Sequence, residues 1–110
     1  GGINWVPSAL QDVAHIAASF AHLHDHQPQH PAQHYWDTHM TASFMVDPLG
    51  LDLIDRIGVD RAMWSSDFPH NESTWGYTPD VLQSIVTQVG AEAAESILGD
   101  NIRTFLGVPA

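Results

Sequence analysis

The chain of 110 residues has no cysteine and no lysine, and three arginines are its only strong bases. Without thiols there is neither a disulfide nor a thiolate metal site, and cysteine usage says nothing of the redox compartment. Thirteen carboxylates against three arginines give a formal net charge of −10. Such a charge repels phosphate backbones and anionic lipid, which argues against nucleic acid or a membrane surface as partner. Long apolar runs are missing too. No stretch approaches the roughly 20 apolar residues of a membrane span, and no basic segment precedes an apolar one as a secretory leader requires. A soluble, cytoplasmic protein acting on a small molecule is the expectation.

What the chain does have is histidine, at eight copies, and clear helical periodicity. Apolar residues at 9, 10, 13, 16, 17, 20 and 23 form one stripe at helical spacing, opened by Pro7 and Ser8. The stretch "HDHQPQHPAQHYWD" has two prolines and no apolar period, so it reads as a loop or irregular crossing. "TASFMV" at 41–46 reads as a buried strand, and Asp47-Pro48 as the N-cap and first position of a helix that ends at Gly58. "RAMWSS" at 61–66 repeats the strand signature. Thr78-Pro79-Asp80 opens a helix to Val89, stopped by Gly90; a short helix follows over 91–98, closed by Gly99, with a last turn or two in "DNIRTFLG".

Near-continuous apolar strands alternating with helices predict parallel strands covered by helices. Two such strands do not make a stable sheet, and a barrel of eight strand–helix units takes roughly 250 residues. The chain is therefore expected to be a piece of a larger α/β fold, an expectation reinforced by a start, "GGINWVPS", without an initiator methionine. If these residues fold alone, open sheet edges predict a homo-oligomer.

In parallel α/β folds, ligands gather beyond the carboxyl ends of the strands. Asp67 and His70, in "SDFPH", follow the second strand directly. A carboxylate there can serve as ligand or proton acceptor, or it can simply end the strand in an Asx turn. From the residues alone, His70 reads first as a loop histidine bonded to a backbone carbonyl. His22, His26, His30 and His34 recur every fourth residue, with His24 and His39 nearby, which invites a metal-binding or interaction module as the alternative function. Pro28 and Pro31 interrupt any helix through the middle of that series. Among the tryptophans, Trp64 reads as core, Trp36 as a possible pocket wall, and Trp5 and Trp75 as the substrate-binding candidates. Glu92 and Glu95 read as a solvated helix face, and Arg56, Arg61 and Arg103 as ion-pair partners.

"GGINWVPSAL", "TASFMVDPLGLDLIDRIGVDRAMWSSDFPHNESTW" and "ILGDNIRTFLG" together resemble the carboxyl-terminal part of the amidohydrolase-related family of metal-dependent hydrolases and decarboxylases, which includes aminocarboxymuconate-semialdehyde decarboxylase. The resemblance implies a (β/α)₈ barrel, of which residues 1–110 would be about the last two to three βα units. It also implies a catalytic divalent metal, usually zinc, held by histidines from earlier strands and by an aspartate that ends the last strand. Asp67 matches that aspartate, as metal ligand and proton-transfer residue. The histidine ligands would lie upstream, so the resemblance implies an active parent and an inactive fragment, because a catalytic zinc takes about three protein ligands plus water.

Overall fold

The structure is a computed structural model, which describes residues 1–23 and 25–109. Helix α1 (Val6–Phe20) carries Pro7 in its first turn, where a missing N–H removes no helical bond, and runs into a 3₁₀ turn at Ala21–Leu23. Helix α2 (Ala32–His39) leads to strand β1 (Ala42–Phe44). Helices α3 (Pro48–Asp52) and α4 (Ile54–Ile57) and a 3₁₀ turn connect it to β2 (Ala62–Trp64). The strands pair in parallel, with Ala42 opposite Ala62 and Phe44 opposite Trp64. Helix α5 (Thr78–Val89) follows, then α6 (Ala91–Glu95), a π-helical turn (Ser96–Asp100) and α7 (Asn101–Leu106). This is a mixed α/β architecture, and among the described residues the sheet has two strands.

The core gathers Phe44 and Ala62 from the strands, Leu51, Ile54 and Ile57 from the crossover, and Val81, Ile85, Ala94 and Ile97 from the carboxyl-terminal helices. Ile3, Val6 and Trp36 close it on the other side. Asp47 ties these parts together. Its carboxylate caps α3 by accepting from the Gly50 N–H at 3.0 Å, as its place before Pro48 predicts. It also accepts from the Ile3 N–H at 2.7 Å, the Asn4 N–H at 2.9 Å and the Asn4 amide at 3.1 Å. Burial acts most strongly on this group and would raise its pKa, but the bonds from Gly50, Asn4 and Ile3 together outweigh it and hold the carboxyl below its ordinary range.

Several local expectations give way. Residues 32–39, read as part of an irregular crossing, form α2. The prolines end before it, Pro31 standing at its N-cap, and Trp36 pays for the order by burying its ring and donating its indole N–H to the Ile57 carbonyl at 2.7 Å. Gly99 does not stop the last helix. Asn101 donates to the carbonyls of Val59 at 2.6 Å and Ala62 at 2.8 Å, anchoring the chain just past Gly99, and the helix runs on to Gly107, whose left-handed φ of 69° ends it. The helix expected over 48–57 is interrupted at Leu53, whose N–H is shared between the Leu49 and Gly50 carbonyls.

The stripe of α1 is helical as its spacing requires, yet only its first turns reach the core. Residues 11–23 are exposed throughout, including Val13, Ile16, Phe20 and Leu23. No helix among the described residues is long and apolar enough to cross a membrane.

Candidate active site

Beyond β2 the parallel ladder continues for one residue, the Ser65 N–H reaching the Phe44 carbonyl at 2.9 Å. The chain then leaves the sheet and returns, and the Thr74 N–H closes the excursion on the Ser66 carbonyl at 3.0 Å. Thr74 is fully buried, and its backbone carbonyl accepts from the Thr78 hydroxyl at 2.9 Å, so the loop is bolted to the start of α5. Sequence reasoning passed over Thr74; the only signal was its placement four residues before a helix-opening threonine.

Asp67 stands at the first bend of this loop with φ 58°, a left-handed conformation that aspartate tolerates better than most residues. Its backbone carbonyl accepts from the His70 N–H at 2.8 Å, which turns the histidine back toward it. The His70 Nδ1 lies 3.6 Å from the Asp67 Oδ2, both side chains more than half exposed. That separation is too long for a hydrogen bond, and it would be an ionic contact only with His70 protonated. Nδ1 also accepts from the Glu72 N–H at 3.3 Å, which requires its lone pair to be free and so assigns the ring proton of neutral His70 to Nε2. Protonation at Nδ1 would exchange the Glu72 contact for Asp67. The two residues singled out from sequence are thus brought side by side.

Next to them Trp64, Ser66, Phe68, Trp75 and Thr78 line a slot of about 470 Å³. The rings of Phe68 and Trp75 meet at a centroid distance of 4.9 Å, and Trp75 is 74% exposed. Trp64 is half-buried against the core, its indole N–H donated to the Met45 carbonyl at 3.0 Å, and it also lines the slot. Trp5 is not part of this constellation. It lines a separate apolar groove of about 730 Å³ between α1 and the segment leading into α2, edge-on to Trp36. Trp36 itself is buried core.

Metal chemistry needs a fuller donor set than this. Among the described residues no group of three or more histidine, aspartate or glutamate side chains converges. Asp67 and His70 together fall short of a catalytic zinc site, so these residues by themselves do not fit the ion. In the histidine-rich segment His30 and His34 stack with centroids 4.0 Å apart and Tyr35 packs beside them, while His24 lies outside the described residues. Arg61 and Arg103 contact Asp60 and Asp100, as ion-pair partners should.

In parallel α/β folds ligands gather beyond the carboxyl ends of the strands, and Asp67 and His70 stand just past the end of β2. The family profile described as Amidohydrolase matches residues 5–108, and the chain belongs to the amidohydrolase family. Membership makes it part of a hydrolase-type enzyme. No curated protein matches the chain.

Proposed function

We propose that residues 1–110 are the carboxyl-terminal part of a (β/α)₈ amidohydrolase, and that the intact parent hydrolyses or decarboxylates a small substrate with Asp67 at the centre of its site. The observation that carries this reading is the placement of Asp67 past the carboxyl end of the β1–β2 pair, with His70 3.6 Å away. The uncovered apolar stripe of α1 and the two-stranded sheet support a larger barrel, in which neighbouring units would bury both. In hydrolysis Asp67 takes the proton of the attacking water, and His70 passes it to the leaving group by the exchange of partners at Nδ1; in decarboxylation the pair delivers a proton to the carbon that CO₂ leaves. A divalent ion, zinc in this reading, would be a property of the parent: Asp67 offers it one ligand, and the rest must come from other strands. The chain alone is then inactive.

Asp67→Asn in the full-length parent is the test. Turnover should fall by at least a hundredfold while the far-ultraviolet dichroism and melting temperature stay close to those of the parent. Unimpaired turnover would remove Asp67 from the site and the proposal with it.

A further inference from the structure

The slot beside Asp67 has walls and charge of a particular kind. Its aromatic surface comes from Trp64, Phe68 and Trp75, and the carboxylate-bearing Asp67 sits between two of the residues that line it, Ser66 and Phe68. Glu72 lies on the same loop, and Asp80 occupies the first turn of α5, where it offsets the positive end of the helix dipole next to Thr78. From Ala62 to Ile102 there is no arginine or lysine.

The three arginines are placed elsewhere. Arg61 precedes β2, at the opposite end of the strand from Asp67, and donates to the Met40 carbonyl at 3.2 Å. Arg103 is held by Asp100 at 3.0 Å, and Arg56 lies in the last turn of α4. The slot's lining of Trp64, Ser66, Phe68, Trp75 and Thr78 gives a substrate carboxylate no guanidinium to pair with. An organic cation would instead meet the electron-rich faces of tryptophan and phenylalanine, which attract such a group.

We infer that the slot lined by Trp64, Phe68 and Trp75 binds an organic ammonium group, the cationic end of the substrate. The inference rests on the reading of this loop as the substrate end of an amidohydrolase site, and it names the chemistry of the part that meets these residues. Binding at the slot uses only side chains of this chain, so it is measurable without the parent and without turnover.

The probe is benzyltrimethylammonium, titrated into the 110-residue protein by calorimetry and by the chemical shifts of the tryptophan indole N–H groups, with benzoate as the isosteric anion. The cation should bind saturably, at least tenfold more tightly than benzoate, and shift the Trp64 and Trp75 signals. Trp75→Ala, at a position too exposed to disturb the fold, should abolish binding, and Trp75→Phe should retain most of it. Asp67→Asn should weaken the cation severalfold. Absence of cation binding, benzoate binding as tight as the cation, or a Trp75→Ala protein that binds the cation unchanged would each overturn the inference. None of these results touches the role of Asp67 in turnover, which is tested separately in the parent.

Discussion

Replacing Asp47 with alanine removes one acceptor that four donor groups share. The Ile3 and Gly50 N–H groups are buried, and neither has water to turn to when the carboxylate is gone. A buried donor left without a partner costs about 1–3 kcal/mol, so two of them place the loss at about 2–6 kcal/mol. The Asn4 contacts are partly buried and add less. Against a domain stability of about 5–15 kcal/mol, that loss should lower the urea midpoint markedly, read by tryptophan fluorescence because Trp5 is bonded to the Gly2 carbonyl beside Ile3 and stands edge-on to Trp36. Asp47→Asn keeps one acceptor oxygen and should lose about half as much. The sign with pH follows from the lowered pKa. The folded protein holds the carboxylate ionised where the unfolded chain has begun to bind a proton, so the contribution is full above the ordinary aspartate pKa of about 3.9 and is lost as pH falls through the lower folded value. The wild-type protein should therefore lose stability more steeply on acidification below about pH 4 than Asp47→Asn. An alanine variant destabilised by less than about 1 kcal/mol, or equal acid slopes for wild type and Asn variant, would refute the Asp47 bonds as the link between the amino-terminal segment and β1.

Gly50→Ala should destabilise by about 1–3 kcal/mol despite alanine's better helix propensity, because the added Cβ would stand 2.5 Å from the Asp47 Oδ2 and 2.6 Å from Ile3 Cγ1; an unchanged urea midpoint would contradict that packing. Asn101→Ala leaves the Val59 and Ala62 carbonyls without its amide and should lower stability by about 1–3 kcal/mol, whereas Ile102→Ala, on the more exposed side of the same helix, should change it by less than about 1 kcal/mol. Both are measured by thermal unfolding. The 110-residue protein by itself should sediment as a dimer or larger, since the two-stranded sheet leaves strand edges unpaired and α1 leaves Val13, Ile16 and Phe20 in water; a monomer at micromolar concentration would exclude this.

The amino-acid sequence by itself determined the local features. Helical spacing produced α1, Asp47-Pro48 produced the cap of α3, and Thr78-Pro79 opened α5, because caps and periodicity act within a few residues of one another. The placement of Asp67 and His70, three apart in one loop after a recognisable strand, was legible for the same reason. Tertiary structure decided the rest. Residues 32–39 became a helix because Trp36 found the Ile57 carbonyl 21 positions away, a partner no local pattern announces. Gly99 failed as a stop because Asn101 is held by backbone from 39 and 42 residues earlier. Trp5 and Trp75, alike as sequence candidates, went to different cavities, and Asp47 became more than a cap by reaching residues 43 and 44 positions upstream. Each of these depends on which distant groups the fold brings within hydrogen-bonding or van der Waals range, and that is set by the packing of the whole chain rather than by any short stretch of it.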